Sequence, residues 1–308
     1  MFEGSEKKFE LVVQPGHGSL RQYQKDFWNE LVKKSGACIL SQIHSSECDA
    51  YLLSESSLFV FNDRVLMITC GKTTLVSAAL HLVDAIGEPL LQSLIYQRKN
   101  EYFPDQQYSQ FDDDVLFFEQ KLKGKSFRFG AEGSHHMHIY HLDRSFQPAM
   151  DDITTEILMY DLGEDVRKVF SIPGLSAEDV RQHTGVAMIL PGFAVDDWAF
   201  KPFGYSLNAV KEGHYFTVHV TPEEGATYAS FETNCTVSGG LMNLLKKVLR
   251  VFKPGVFDVV SFQPSKLAPA NLSGLEFSQQ ESRELGCGYE LSFSTFTQGF
   301  KALKKNLM

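Results

Sequence analysis

The sequence predicts an α+β protein in which antiparallel sheets carry helices on one face. Three observations lead to this prediction. Short hydrophobic segments follow one another with only brief polar turns between them, which is typical of antiparallel neighbours. Four longer segments have the spacing of amphipathic helices. The 308 residues are 43% hydrophobic and include 25 Phe, which is enough for a sizeable core in two domains or one large one.

The first half of the chain alternates between the two kinds of element. Strands are predicted over 9–13, 38–43, 51–60, 65–69, 126–129 and 135–142. Helices are predicted over 20–34, 73–86 and 111–123. In the last of these, acidic residues at 112–114 occupy the first turn, and Lys121 and Lys123 occupy the last turn. That charge order complements the helix dipole.

The second half contains fewer clear elements. A helix is predicted over 240–251, and strands are predicted over 216–221, 256–262 and 289–296. Residues 263–288 are rich in Ser, Pro, Gln and Glu and are predicted to form a long surface loop.

Composition excludes several classes of function. The net charge is -9 and no basic run is present, which argues against a nucleic-acid face. The N-terminus lacks the pattern of a signal peptide, and the apolar runs are far shorter than the roughly 20 residues of a membrane span. Five cysteines without Cys-x-x-Cys spacing indicate free thiols in a reducing compartment. We therefore expect a cytoplasmic protein that binds neither membrane nor nucleic acid.

One segment breaks the local pattern. Residues 51–60 begin and end like a buried strand, but residues 54–57 are all polar, so hydroxyls and a carboxylate would lie on both strand faces. A local inconsistency of this kind is expected at functional sites. A serine hydroxyl held against the preceding carbonyl can attack it and cut the chain, here at Glu55–Ser56. The alternative is an edge strand that runs into a serine-rich turn, and the segment alone favours that alternative.

A family resemblance changes this weighting. Leu53-Ser54-Glu55-Ser56-Ser57-Leu58-Phe59-Val60, followed by Ile68-Thr69-Cys70-Gly71, closely resembles the eukaryotic-type S-adenosylmethionine decarboxylases. Further matches lie at 2–7, 154–159, 201–208, 215–223, 230–234 and 251–255. The matches occur in one order along nearly the whole chain, which makes them far more specific than a single short motif.

The resemblance implies a fold and an activity. The fold is a four-layer α/β/β/α sandwich of two antiparallel sheets flanked by helices, formed by duplication of one half. The chain is one S-adenosylmethionine decarboxylase domain, 1–308, that cuts itself into a β chain, 1–55, and an α chain, 56–308. Ser56 becomes a pyruvoyl group, which forms a Schiff base with S-adenosylmethionine and accepts the electrons released with carbon dioxide. The product is the aminopropyl donor for spermidine and spermine synthesis. A homodimer of cleaved heterodimers is a further expectation.

The resemblance also assigns roles in catalysis. His219 is the base for self-processing and Ser206 assists it, although the sequence alone predicts a hydrogen-bonded histidine on a polar strand face and a turn hydroxyl. Cys70 is the acid that reprotonates the substrate carbon, although a buried structural thiol is the simpler interpretation. The helix after Cys70 is expected to lower its pKa. Glu3 and Glu6 are acidic residues of the active site.

Four residues are implied to bind the substrate. Phe2 and Phe200 hold the adenine ring between them, and aromatic faces also favour a sulfonium cation. Glu223 accepts the ribose hydroxyls, and Glu55 also contacts the substrate.

A second set of residues is implied to bind putrescine, the dication that activates some members of the family. Asp152, Thr154 and Glu156 are predicted to share one strand face, and buried carboxylates there need a partner. The implied set is Glu10, Asp152, Thr154, Glu156, Glu232, Phe262 and Tyr289. Two positions depart from the activated pattern: Ile68 replaces a lysine and Ile95 replaces a phenylalanine. Putrescine is therefore expected to bind with weak or no activation.

Other patterns and functions carry less weight. The histidines at 135–141 fall on both strand faces, without further ligands, so no metal site is predicted. Gly71-Lys72-Thr73 is similar to a phosphate-binding loop, but Leu66 stands where that motif needs Gly. One alternative function is a catalytically dead regulatory paralogue, which should lack Ser56, Cys70 or His219. Another is a pyruvoyl decarboxylase for a different amino acid, which would not need Phe2, Phe200 or Glu223.

Overall fold

A computed structural model describes residues 4–131, 133–223, 226–267 and 277–297. Their contacts divide the chain into two compact units. The N-terminal unit comprises Ser5–Gln147 together with Val210–Gly213, and the C-terminal unit comprises Gly4, Pro148–Ala209 and the described residues from His214 onward. Within the described residues, no helix has the length and apolar character needed to cross a membrane.

The N-terminal unit is an eight-stranded antiparallel sheet with three helices. The strands are β1 (Lys7–Val13), β2 (Ile39–His44), β3 (Cys48–Leu53), β4 (Ser56–Phe61), β5 (Arg64–Thr69), β6 (Leu91–Lys99), β7 (Gly124–Phe129) and β8 (Met137–Leu142). The helices are α1 (Lys25–Lys34), α2 (Leu75–Ile86) and α3 (Phe111–Glu119). The strand order is β2-β3-β4-β5-β1-β6-β8-β7.

The core of this unit lies between one sheet face and the helices. Alternation along β1 points Phe9 and Leu11 to this face, where they join one apolar cluster with Trp28 of α1 and Leu82 of α2. Residues between them in β1, such as Lys8, therefore point to the face without helices.

The C-terminal unit is a second eight-stranded sheet with three helices. Its strands are β9 (Thr154–Tyr160), β10 (Ala194–Ala199), β11 (Tyr205–Lys211), β12 (His214–Thr221), β13 (Tyr228–Thr233), β14 (Val256–Pro264), β15 (Gln279–Glu284) and β16 (Tyr289–Phe296). Its helices are α4 (Glu164–Phe170), α5 (Ala177–Thr184) and α6 (Gly240–Phe252). The apolar face of α6 packs on the sheet through Leu245 and Leu249, against Phe216 and Phe231 among others.

The two units have the same strand order. The C-terminal order, β10-β11-β12-β13-β9-β14-β16-β15, becomes that of the N-terminal unit when eight is subtracted from each strand number. Duplication of one half predicts this identity. The expectation of two antiparallel sheets with helices on one face of each is confirmed.

Several predicted boundaries are wrong for physical reasons. The helix predicted over 20–34 is a 3₁₀ turn capped by Ser19, followed by α1, because Tyr23 and Gln24 are extended. Helix α3 ends at Glu119, so Lys121 and Lys123 lie beyond its last turn. The predicted loop over 263–288 contains β15, a polar edge strand without a hydrophobic signal. Strands β6, β10, β11 and β13 and helices α4 and α5 were not predicted. The interpretation of Ser206 as a turn hydroxyl is wrong, because Ser206 lies within β11.

The close approach of Gly124 to Tyr140 gives a test of packing in the N-terminal sheet. A Cβ atom at Gly124 would overlap the Tyr140 ring, whereas a Cβ at Gly16 meets nothing within 4 Å. We expect Gly124→Ala to lower the free energy of unfolding by about 1–3 kcal/mol because the buried ring must shift. Gly16→Ala, the control, should leave the melting temperature unchanged or slightly higher. Equal melting temperatures for the two variants would contradict this packing.

Candidate active site

Strands β3 and β4 form a hairpin whose loop is the two residues Ser54 and Glu55. Leu53 pairs with Ser56 across the hairpin, so the Glu55–Ser56 peptide bond lies where the chain re-enters the sheet. The prediction of one continuous strand over 51–60 is therefore wrong. The polar residues that broke the alternation include those that form the turn. The alternative, an edge strand that runs into a serine-rich turn, is right about the turn and wrong about the edge, because β3 and β4 lie inside the sheet.

Ser56 has a strained backbone and a buried hydroxyl. Its φ is 137°, a value that L-residues rarely adopt. Such strain costs on the order of 1–3 kcal/mol and is concentrated at functional sites. The side chain is 1% exposed, and its Oγ has no hydrogen-bond partner among the described residues. A buried hydroxyl without a hydrogen-bond partner is uncommon in a folded protein, and here it belongs to the residue whose own backbone is strained.

The carbonyl oxygen of Glu55 accepts from Cys70. The Cys70 backbone N–H donates to it over 2.9 Å, and the Cys70 Sγ lies 3.5 Å from it. This contact follows from the sheet register, because Ser56 of β4 pairs with Thr69 of β5, immediately before Cys70. The Glu55–Ser56 carbonyl is thus polarised by one N–H and one S–H donor.

Burial controls the ionisation of both side chains at this turn. Desolvation raises the pKa of the buried Cys70 thiol, and the charges of Glu55 and Glu6 raise it further. Desolvation also raises the pKa of the Glu55 carboxyl to about 7. The expectation that a following helix lowers the pKa of Cys70 is wrong, because α2 begins only at Leu75 and desolvation by burial is the largest cause of the shift, which is upward. The thiol is protonated at neutral pH and can therefore act as an acid.

His219 and Ser206 form a hydrogen-bonded pair on the adjacent strands β11 and β12 of the C-terminal unit. The Ser206 Oγ lies 3.0 Å from His219 Nδ1, and the Thr217 Oγ1 lies 3.0 Å from His219 Nε2. The Thr217 hydroxyl also has the acceptors Leu207 O and Asn208 Oδ1, each at 3.0 Å. If Thr217 donates to one of these, it accepts from Nε2–H of His219. Nδ1 is then the lone-pair nitrogen that faces Ser206.

Burial keeps this imidazole neutral. His219 is 3% exposed, and desolvation lowers its pKa to about 3. A neutral imidazole with its lone pair toward a hydroxyl has the arrangement of a general base. The alternative from the sequence alone, that His219 is only a hydrogen-bonded residue on a polar strand face, agrees with the same contacts but gives His219 no role as a base.

The residues predicted to bind substrate lie at the ends of strands. Phe200 follows β10, and its backbone N–H donates to Gly204 O over 2.9 Å. It lines a cleft of about 320 Å³ within the C-terminal unit. Glu223 is half-buried two residues after β12. Glu6, predicted as an acidic residue of the active site rather than a substrate ligand, is buried immediately before β1. The predicted residues Phe2 and Glu3 lie outside the described part of the chain.

The predicted carboxylate set divides between the two units. In the C-terminal unit, Glu156 of β9 pairs directly with Glu232 of β13, and both are buried. The hydroxyl of Tyr215 donates to Glu232 over 2.6 Å, and that of Tyr289 donates to Asp152 over 2.7 Å.

Two members of the set differ from the prediction in detail. Thr154 of β9 pairs with Phe262 of β14 and shares a strand face with Glu156, as predicted. Asp152, however, precedes β9, so strand alternation does not place it. Glu10 belongs to β1 of the N-terminal unit, where its carboxylate lies 3.5 Å from the Arg64 guanidinium.

The register of the N-terminal sheet also reveals a residue that the sequence analysis missed. Lys8 of β1 is buried and pairs directly with Ile68 of β5. Glu10, two residues further along the same face, pairs with Ile95 of β6. A lysine on β1 therefore lies directly opposite Ile68, the β5 position at which the activated pattern has a lysine. No local pattern in the sequence indicates this arrangement, because it depends on which residues the register brings opposite each other.

These features first define a class: α+β proteins with two equivalent antiparallel sheets, helices on one face of each, and polar groups buried on the other face. The adenosylmethionine decarboxylase family model matches residues 1–302. The chain belongs to the adenosylmethionine decarboxylase family, as the sequence motifs predicted.

Curated relatives and a solved structure agree with this membership. The chain is 32% identical to the S-adenosylmethionine decarboxylase proenzyme of Dictyostelium discoideum, covering 96% of this chain and 86% of that protein. It is 34% identical to the proenzyme of Xenopus laevis, covering 85% and 83%. The crystal structure of the Trypanosoma brucei AdoMetDC-delta26 monomer matches with a TM-score of 0.62 at 22% identity, covering 78% of this chain and 98% of that one. This last similarity concerns the fold.

The low pKa of His219 predicts how stability depends on pH. The unfolded chain protonates this residue near pH 6.5, but the folded chain does so only near pH 3. The unfolded state therefore binds more protons between these values, and stability falls as the pH falls. From pH 7 to pH 5, His219 should account for a loss of about 2 kcal/mol.

The measurement is urea unfolding at both pH values in a Ser56→Ala background, which keeps the chain intact. His219→Gln should lose about 2 kcal/mol less stability on acidification than its parent. His214→Gln, at an exposed position of the same strand, should behave like the parent. If His219→Gln has the parent's pH dependence, burial does not keep His219 neutral.

Proposed function

We propose that this protein cuts itself at the Glu55–Ser56 bond and then decarboxylates S-adenosylmethionine. One observation carries the first part: the strained Ser56, with its unpartnered hydroxyl, follows a carbonyl that accepts from the N–H and S–H groups of Cys70. Attack of Ser56 Oγ on the Glu55 carbonyl carbon develops negative charge on that oxygen. Donors already aimed at it stabilise such an oxyanion. The peptide C–N bond then breaks, and Glu55 is joined to Ser56 by an ester.

The second step removes the ester. A base takes the Ser56 α-proton, the Cβ–O bond breaks, and residues 1–55 leave with a new carboxylate. The remaining dehydroalanine takes up water and releases ammonia, which leaves a pyruvoyl group at residue 56. His219, neutral and with Nδ1 toward Ser206, is suited to the role of base, with Ser206 as its partner. The buried, unpartnered Ser56 Oγ fits a residue consumed in this way. We place this chemistry in the cytoplasm, and the free state of all five cysteines supports a reducing compartment.

The pyruvoyl group supplies a carbonyl that binds the substrate amine and accepts the electrons released with carbon dioxide. The chain's own residues do the rest. Cys70, whose pKa is raised by burial, holds the proton needed by the substrate α-carbon after carbon dioxide leaves. Phe200, with Phe2, is proposed to stack on the adenine, and Glu223 to accept the ribose hydroxyls. Glu3, Glu6 and Glu55 are proposed to complete the acidic surroundings of the cationic substrate.

Two alternatives are less well supported. A dead regulatory paralogue has no use for the strained turn and the protonated thiol, and Ser56, Cys70 and His219 are all present. A decarboxylase for another amino acid has no use for a nucleoside site, and Phe2, Phe200 and Glu223 are also present. The product expected is S-adenosylmethioninamine, the aminopropyl donor for spermidine and spermine.

Self-cleavage is tested by the sizes of the chains in the purified protein. The purified wild-type protein should give two chains, 1–55 and 56–308, on denaturing electrophoresis, and the larger chain should resist N-terminal sequencing. Ser56→Ala should remain one chain because the nucleophile is gone. Ser54→Ala removes a hydroxyl from the same turn without removing the nucleophile, and it should still be cut. A wild-type protein that stays intact after folding would overturn the proposal and favour the regulatory paralogue.

We further propose that putrescine binds the carboxylate set. Like charges directly opposite each other in a sheet destabilise it, and Glu156 and Glu232 are opposite each other and buried. A dication that binds only the folded state relieves such repulsion. Rate activation is expected to be weak, because Ile68 stands where the activated pattern has a lysine and the only basic residue directly opposite it on β1 is the buried Lys8.

Thermal unfolding tests the diamine site. Millimolar putrescine should raise the melting temperature by several degrees relative to sodium chloride of equal ionic strength, through linkage. Asp152→Asn combined with Glu232→Gln should abolish this increase. Glu164→Gln combined with Asp165→Asn removes the same charge from the exposed first turn of α4 and should preserve it. No stabilisation of the wild type, or equal stabilisation of the first double variant, would show that putrescine does not bind there.

A further inference from the structure

The N-terminal unit contains a buried charge network that none of the chemistry above uses. It consists of two cations, Lys7 and Arg98, and two anions, Glu101 and Asp114, all nearly inaccessible to solvent. Arg98 lies 2.8 Å from Glu101 and 2.7 Å from Asp114, and Lys7 lies 3.5 Å from Glu101. The two positive and two negative charges balance, and this pairing offsets the desolvation cost of burying them.

Lys7 connects this network to the turn that follows Cys70. Its Nζ donates to the carbonyl oxygen of Gly71 over 3.2 Å and to Gln107 Oε1 over 2.6 Å. Its strand position explains the reach, because Lys7 of β1 pairs with Thr69 of β5 on one side and with Arg98 of β6 on the other. Desolvation lowers the pKa of Lys7, while Glu101 opposes that change.

Residues 100–110, which we call the strap, pack over the same turn. Gln107 contacts Lys7, and the Lys72 ammonium lies 4.4 Å from the centre of the Tyr108 ring. Arg98 holds the end of the strap through the Ser109 carbonyl oxygen. The turn is therefore fixed at two points: Cys70 is held by the Glu55 carbonyl, and Gly71, with φ of 70°, is held by Lys7.

We propose that Lys7 is a positioning residue, which acts through the Gly71 carbonyl to hold the Cys70 thiol in line with the substrate carbon that it protonates. This inference rests on the proposed role of Cys70. Correct transfer moves the thiol proton to the substrate α-carbon and leaves a thiolate, which the nearby Lys7 charge favours. If the proton instead reaches the α-carbon of residue 56, one water molecule then hydrolyses the bond between the substrate carbon and its nitrogen. The nitrogen stays on residue 56 as the amine of an alanine, the decarboxylated substrate leaves as an aldehyde, and the enzyme is inactivated.

The partition between these outcomes separates positioning from a merely structural role. In the self-processed enzyme, Lys7→Met should raise the fraction of turnovers that end in inactivation at least fivefold, with KM within twofold of the wild type. Mass spectrometry should find alanine at residue 56 of the large chain. Cys70→Ala is the positive reference, and Lys121→Met, which removes an exposed ion pair with Asp84, is the matched control. An unchanged partition in Lys7→Met would overturn the inference even if activity or melting temperature fell.

Two further measurements keep the test informative. In the unprocessed Ser56→Ala protein, Lys7→Met should speed hydrogen exchange in peptides covering 70–74 and 100–110. Exchange in strand β8, which does not pair with β1, should be unchanged. If Lys7→Met does not fold, Gln107→Ala with Tyr108→Ala loosens the strap without altering the sheet and should raise inactivation at least twofold. No increase there would overturn the inference. Failure of the wild type to process, or of Cys70→Ala to inactivate, would instead refute the proposed function.

Discussion

The hydrogen bond from the Cys70 N–H to the Glu55 carbonyl oxygen is the contact on which the rest of the candidate site depends. It joins the tight β3–β4 turn to the end of β5, and it exists only because the register places Ser56 opposite Thr69. One contact thereby fixes both groups of the proposed chemistry, the carbonyl that is attacked and the thiol that donates a proton. A shift of β4 by one residue would separate them and reverse the face of every side chain in the strand.

The two faces of each sheet differ in the polar groups that they bury. The faces under the helices are apolar, as Phe9 and Leu11 show in one unit and Phe216 and Phe231 in the other. The opposite faces also bury apolar side chains, such as Phe59 and Leu66, but they carry in addition Lys8 in the first unit and His219, Glu156 and Glu232 in the second. Each of these buried polar groups costs free energy unless its hydrogen bonds are satisfied. A fold that needed only stability would place apolar side chains at these positions.

Sequence reasoning reached the elements with strong periodicity and the residues within motifs. Helix α6 and strands β1 and β14 were found because their apolar spacing is regular, and Ser56, Cys70 and His219 were predicted by family resemblance. Edge strand β15 was missed because it is polar. The pKa direction of Cys70 was wrong because burial is a tertiary property. Lys8 opposite Ile68, and Lys7 on the Gly71 carbonyl, depend on strand register, which no local pattern in the sequence reports.

The central position of β1 has a consequence for the molecule after a cut at Glu55. Strand β1 lies between β5 and β6, and β3 lies beside β4, so a fragment ending at residue 55 is paired with the remainder on several edges at once. The fragment cannot diffuse away unless the sheet opens, and no disulfide is needed to retain it. Refolding, however, changes its molecularity. The uncut chain would refold in a unimolecular reaction, whereas the cut one would have to bring two chains together, so the recovery of a cut molecule would depend on concentration.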